Sequence, residues 1–324
     1  MTSAAPPRLA LLFPGQGAQS VGMGRELIAA SSAAKRTFEE ADDALGFRLS
    51  QVILEGPADE LKRTAVTQPA IVTVSIAAYR ALQERGAFAA AIPAFAAGHS
   101  LGEYAALVAA GAVDLAAAVK AVRARGTFMQ EAVPEGEGAM AAVLGMDADT
   151  IRSIVTETST DDAYVDCANF NGPEQTVIAG TARGVEAAAA ALKARGARRV
   201  LPLPVSAPFH CRLMQPVKPR LEDVLGQIAF RAPAFPIVTN VEAAPNAEAA
   251  RIRPLLVEQV TAPVRFTEIA AFLVAAAMTT FIEIGPGKTL VGIVKRSPGL
   301  PEGARLLNVE DARSLEATVA ALAG

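Results

Sequence analysis

Five residues, Gly98-His99-Ser100-Leu101-Gly102, constrain the fold of this chain more than any other segment. They follow a short apolar stretch, Ile92–Ala97, and precede an apolar-periodic one, Glu103–Ala110. A strand that turns at once into a helix holds its central residue in a strained conformation, and a side chain at either flanking position would collide with the turn. Glycine at positions 98 and 102 meets that demand. The helix that follows aims its N-terminal amides and dipole at negative charge developing on the turn. Ile92–Ala97 is mostly Ala and a poor strand by propensity, so the turn carries the argument. The pentapeptide places a strand–turn–helix unit in an α/β sheet and offers Ser100 as a nucleophile.

The rest of the chain supplies the sheet. Leu9–Phe13 is predicted as a strand ending in the turn Pro14-Gly15-Gln16-Gly17, and Met23–Ala30, Ala33–Leu45, Pro69–Ala87 and Leu115–Gln130 as helices. From Gly138 the rhythm changes. Ala139–Leu144, Ala163–Phe170, Thr176–Ala179 and Val200–Val205 read as strands, with Pro202 and Pro204 marking the last as an edge. Between them lie a helix carrying Ile151, Ile154 and Val155, capped by Asp147 or Asp149, and a helix Gly184–Arg195 closed by Gly196. That order, βαββαβ, is the ferredoxin-like pattern. A strand Phe235–Thr239, a loop or short helix over Glu242–Ala250, helices near Ile252–Val260 and Phe266–Ala277, and a strand Thr280–Ile284 complete the reading. The expected fold is α/β, with a mostly parallel sheet in a large subdomain (residues 1–137 and 207–324). A small ferredoxin-like subdomain (138–206) is inserted into it.

Composition removes several function classes. Thirty Lys+Arg against 33 Asp+Glu give a net charge of −3. That leaves no basic field for nucleic acid or an anionic membrane. Two cysteines, Cys167 and Cys211, cannot frame a secreted scaffold and point to a reduced, cytoplasmic setting. With two histidines as well, a Cys/His metal cluster lacks ligands, and no metal is expected. Hydrophobic residues reach 52%, but the excess is alanine and the longest apolar run, Ile269–Met278, is far too short to span a bilayer. The N-terminal residues lack the basic and apolar regions of a signal peptide.

A serine nucleophile needs a base. His99 adjoins Ser100 on a tight turn, so its side chain should point elsewhere; His210, in Ser206-Ala207-Pro208-Phe209-His210, is left. The orienting acid is harder to find. Asp147, Asp149, Asp161, Asp162 and Asp166 all fall in the small subdomain, and a backbone carbonyl is the alternative partner for the imidazole.

Seven segments in order give the chain a family resemblance. They are Phe13–Gln19 (FPGQGAQ), Thr67–Ala70 (TQPA), Gly98–Tyr104 (GHSLGEY), Arg125–Gln130 (RGTFMQ), Asn169-Phe170-Asn171, the SAPFH ending at His210, and Glu283–Lys288 (EIGPGK). Over about residues 8 to 310 the chain resembles the malonyl-CoA:acyl carrier protein transacylases of bacterial fatty acid synthesis, and also the discrete trans-acting polyketide acyltransferases. The resemblance implies an α/β-hydrolase-like large subdomain with a ferredoxin-like insert, in agreement with the pattern above. It implies a ping-pong reaction in which Ser100 takes the malonyl group from malonyl-CoA, with His210 as base, and passes it to the phosphopantetheine thiol of acyl carrier protein. It implies that the Gln259 carbonyl orients the imidazole, and that Gln16 and the Leu101 amide form the oxyanion hole. Arg125, by itself an ordinary surface charge on a helix that also bears Arg123, becomes the clamp for the malonyl carboxylate.

By the same resemblance, Gln68 is expected to brace the pocket or touch substrate, and Phe209 to crowd a 2-methyl branch. Asn171 and Gln175 match family positions near the pantetheine arm. Arg199, with Arg198, meets CoA phosphates or the carrier protein, or is only a solvated cationic helix end. No resident cofactor is implied, since CoA belongs to the substrate and phosphopantetheine to the partner; the chain is expected to be a monomer. A serine acyl hydrolase on the same scaffold shares every step until water replaces the thiol. A non-catalytic docking module is the remaining alternative, and the set Ser100, His210, Gln16 and Arg125 argues against it.

Overall fold

The computed structural model describes residues 8–89, 92–205 and 207–323; Ser206 of the SAPFH segment and the two chain ends lie outside them. Ten strands form two sheets among these residues. The first sheet contains β1 (Leu9–Phe13), β2 (Pro93–Gly98), β7 (Ile237–Val238), β8 (Pro245–Asn246), β9 (Thr280–Ile284) and β10 (Arg305–Val309). Its order is β10-β9-β1-β2-β7-β8, parallel throughout except for the β7–β8 pair. The second contains β3 (Gly138–Leu144), β4 (Val165–Phe170), β5 (Gln175–Thr181) and β6 (Arg199–Pro202). It is antiparallel, in the order β4-β5-β3-β6. With helices Ala148–Thr158 and Ala182–Ala194 as its crossovers, this is the ferredoxin-like arrangement.

β1 shows how the large sheet is held. All five of its residues are buried, as a central parallel strand covered on both faces requires. Leu9, Leu11 and Phe13 face one core, with Val72 and Ile76 of helix Thr64–Glu84. Ala10 and Leu12 face the other, with Ile269 and Leu273 of helix Phe266–Ala275. Helix Thr64–Glu84 is apolar on nearly every face and correspondingly buried along its length. No helix among the described residues is long and apolar enough to cross a membrane.

Parallel register brings the strand ends together. Phe13 pairs with Gly98 and Ala97 with Val238, so the turns after β1, β2 and β7 leave the sheet side by side. In the small sheet, Val143, Val165 and Ile178 pack under its own helices, whereas Met140, Ala168 and Val177 face the large unit. Backbone bonds tie the two units: Phe170 N donates to Val264 O (2.9 Å) and Val264 N to Ala168 O (2.9 Å).

Several expected bounds move. Helix Thr64–Glu84 starts five residues before Pro69, which sits in its second turn and removes one intrahelical N–H donor without ending the helix. The expected strand Val200–Val205 ends at Pro202; Leu203 N still reaches Met140 O (2.9 Å), and the chain then leaves toward the cavity. Glu242–Ala250 is a turn, the short strand β8 and the start of helix Ala249–Glu258. Asp147 is the residue that caps helix Ala148–Thr158, accepting from Thr150 N at 2.9 Å.

Candidate active site

The elbow closes as its glycines require. A Cβ on Gly98 would lie 2.0 Å from the Gly102 carbonyl carbon, and one on Gly102 would lie 2.2 Å from Phe13 O. Between them Ser100 adopts φ 54°, a left-handed conformation costing a non-glycine residue roughly 1–3 kcal/mol. Asn240, two residues past β7, holds the turn. Its Oδ1 accepts from Ser100 N (2.7 Å) and its Nδ2 donates to Gly98 O (2.6 Å).

His210 carries the second left-handed backbone at this site, φ 59°. Its Nδ1 donates to Gln259 O (2.9 Å), with Ala262 O at 3.2 Å, so Nε2 is left to accept from Ser100 Oγ at 2.7 Å. A main-chain carbonyl therefore orients the imidazole. Burial, and then the nearby Arg125 charge, push His210 down to about 3, so the ring is neutral and available as a base. His99 points away from the serine. Its Nε2 donates to Asn171 Oδ1 (2.8 Å) and its ring lies against Phe266.

Arg125 is 1% exposed. On helix Leu115–Glu131 it shares the buried stripe of Ala118, Val122 and Met129, whereas Arg123 turns outward and reaches Leu45 O. Its Nη1 donates to Gln68 Oε1 (2.9 Å), and its Nη2 to Ser100 Oγ (3.0 Å) and Gln259 Oε1 (3.0 Å). Gln68 thus braces the guanidinium and spends its own Nε2 on Met129 Sδ at 3.9 Å. Burial lowers the Arg125 pKa, against opposing pulls from Tyr104 and Glu103. Among the described residues no carboxylate lies within ion-pair distance of it. A buried cation held by neutral amides beside a serine hydroxyl has the chemistry to receive an anionic acyl group.

These groups line a cavity of about 90 Å³. Gln16 enters it from the turn after β1, Met129 and Phe209 from the large unit, and Met140, Asn169, Leu203 and Val205 from the small one and its exit. The Leu101 amide sits at the start of helix Gly102–Ala109, next to Ser100. Gln16, His99 and Asn171 also border an adjoining groove with Gly15 and Leu290. Gln175 does not reach the cavity; it lines a farther groove with Arg198 and Arg296. Arg199 is not brought to either groove. It pairs with Leu144 on the edge strand β6 and is exposed, while the preceding Arg198 faces the farther groove.

Three buried polar residues behind or beside the serine have no role assigned from the sequence: Glu103 and Asn169, which lie within family segments, and Asn240, which does not. Glu103 Oε2 accepts from Asn240 N (2.9 Å) and Gln259 Nε2 (2.9 Å), and Gln259 Nε2 also donates to Ser100 O (3.1 Å). Burial pushes Glu103 up to about 7, against those hydrogen bonds and Arg125. Its place in GHSLGEY, one residue past the elbow, was the available signal.

Comparison with known proteins finds a family match and close relatives. The model of the acyl transferase domain family matches residues 10–314. The malonyl CoA-acyl carrier protein transacylase of Bacillus subtilis (strain 168) is 47% identical over 315 residues, covering 97% of each chain. That of Escherichia coli (strain K12) is 47% identical over 289 residues, 89% of this chain and 92% of the relative. Among solved structures, a malonyl CoA-acyl carrier protein transacylase from Coxiella burnetii superposes with TM-score 0.93 at 37% identity, covering 98% of this chain and 99% of that one. A type II polyketide acyl-carrier protein in complex with its malonyl-transacylase gives TM-score 0.92 at 43% identity, covering 97% and 99%.

Proposed function

The chain belongs to the acyl transferase domain family, and from that premise we propose that it transfers a malonyl group from malonyl-CoA to the phosphopantetheine thiol of acyl carrier protein. The observation that carries the reading is the contact of Ser100 Oγ with both His210 Nε2 (2.7 Å) and Arg125 Nη2 (3.0 Å). One side supplies a base; the other supplies a cation for a free carboxylate at the far end of a short acyl group.

His210 Nε2 takes the hydroxyl proton as Ser100 Oγ attacks the thioester carbonyl. The Leu101 amide and Gln16 face the oxyanion that forms, each donor contributing roughly 2.7–4 kcal/mol in the transition state. Collapse breaks the C–S bond, and the imidazolium returns its proton to the departing CoA sulfur. The carrier's thiol then enters, loses its proton to His210, and displaces Ser100 Oγ, which recovers that proton. Side chains and substrate groups account for every proton and bond. Asn171 and Gln16 along the adjoining groove, and Gln175 and Arg198 beyond, outline a path for a pantetheine arm ending in phosphates.

Intact-mass measurement after mixing with malonyl-CoA tests the proposal. One malonyl adduct is expected on the wild type, lost in Ser100→Ala and discharged by the holo carrier protein. Malonate release that ignores the carrier protein would instead identify a hydrolase.

A further inference from the structure

The Gln259 side chain links the cation to Glu103, and the direction of that link is set by chemistry. A carboxylate oxygen without a proton can only accept, so the amide turns its NH₂ toward Glu103 Oε2 (2.9 Å). The oxygen end of the same amide is then the end that meets Arg125 Nη2 (3.0 Å). Ser100 O accepts from the same NH₂ (3.1 Å), so two acceptors choose this sense and Glu103 is the charged one; without its charge the NH₂ is held less firmly, and the guanidinium with it. The Gln259 backbone carbonyl, which orients His210, does not depend on that choice.

We propose that Glu103 is a positioning residue for acyl-group selection: its ionised carboxylate, together with the Ser100 carbonyl, anchors the Gln259 amide and so holds the Arg125 guanidinium in place for the carboxylate of the acyl group. This rests on the malonyl reading above and extends it. The same Glu103 oxygen accepts from Asn240 N, so one atom ties together the support of the serine turn and the support of the cation. Glu103 is 3% exposed and compensates the Arg125 charge without touching it, and Arg125 Nε is buried with no hydrogen-bond partner in the protein.

The test is Glu103→Gln, near-isosteric but uncharged, assayed at pH 8 with malonyl-CoA and acetyl-CoA. For malonyl, kcat/KM should fall ~10-fold or more, chiefly through KM, with acetyl changed by less than ~3-fold. In the wild type, the malonyl-to-acetyl ratio should also fall as pH drops through about 7, where Glu103 takes up a proton, and should stay flat in the variant. The groups facing Glu103 do not titrate there: Arg125 is a guanidinium, and burial raises the Tyr104 phenol. Equal losses for both acyl groups, or an unchanged ratio, overturn the proposal. If the variant does not fold, a flat wild-type ratio between pH 8.5 and 6 does the same. Failure of the wild type to accept malonyl at all would defeat the underlying reading, and the mass adduct reports that separately.

Discussion

Arg125 Nη2 donates to Ser100 Oγ across 3.0 Å, and both residues are buried. The cation thus sits within one hydrogen bond of the proposed nucleophilic atom. An acyl chain seated on the serine meets the guanidinium only if it is short and ends in an acceptor. The same proximity acts on the base, since the charge helps to depress His210. A bound carboxylate neutralises that charge and raises the basicity of the imidazole when it is needed.

Arg125→Ala should therefore separate acyl groups. The substitution removes a charge-assisted pair with the malonyl carboxylate, and kcat/KM for malonyl transfer should drop by at least ~1.5–3 kcal/mol. Acetyl transfer, which has no carboxylate to place, should lose much less. Steady-state kinetics on both CoA esters check this, and equal losses would remove Arg125 from the clamp.

Asn240 is expected to matter to stability as much as to rate. Truncation to Ala leaves Ser100 N–H and Gly98 C=O buried without their side-chain partners. Orphaned buried groups cost ~1–3 kcal/mol each, so Asn240→Ala should lose about 2 kcal/mol or more in urea unfolding. Single-turnover acylation should slow with it, because the same bonds hold the serine turn. A loss under ~0.5 kcal/mol, the scale of an ordinary surface change, would show the turn to be self-supporting.

What could be read in advance follows how local each constraint is. The elbow glycines, β1 and the bounds of β9 were legible because turn sterics and short apolar runs act within a few residues. His210 was legible by elimination between two histidines. Gln259 was reached only through family resemblance, since nothing in Glu258-Gln259-Val260 marks a carbonyl that meets a ring 49 positions away. Glu103 stayed hidden because an acid in a first helical turn ordinarily faces water, and only the packing of Asn240 and Gln259 buries it. Strand β10 gave no signal, its residues being mostly half-buried without alternation. That Arg198 rather than Arg199 lines the farther groove could not be read in advance, because the facing of neighbouring residues at a strand end depends on register.

The two cysteines should be inert in the native protein. Both are free and buried, and burial pushes each thiol up to about 12, which removes the reactive thiolate. Titration with an aromatic disulfide at pH 8 should label neither in the folded state and both after denaturation. Fast native labelling at Cys211, next to the proposed base, would contradict the closed packing around Pro208 and His210.

His210 gives the last prediction, and its sign follows from the direction of the shift. The folded ring is depressed from 6.5 to about 3, so between those values the unfolded chain binds a proton that the native protein does not. Its contribution to stability is therefore full above about pH 6.5 and declines as pH falls toward 3, by roughly 1 kcal/mol per unit. Glu103 acts in the opposite sense, because its raised pKa makes the native state the better proton binder between 4.5 and about 7. The histidine effect is isolated by comparing wild type with His210→Gln in urea at pH 7 and pH 5: the wild type should lose ground to the variant by ~2 kcal/mol. Catalysis should follow the same pKa. With acetyl-CoA, which bypasses the carboxylate clamp, kcat/KM for acylation should show no ionisation near 6.5 and hold down to about pH 5. An acid limb centred on 6.5 would mean that the ring is solvated in the working enzyme and that its burial between Gln259 and Ser100 opens during turnover.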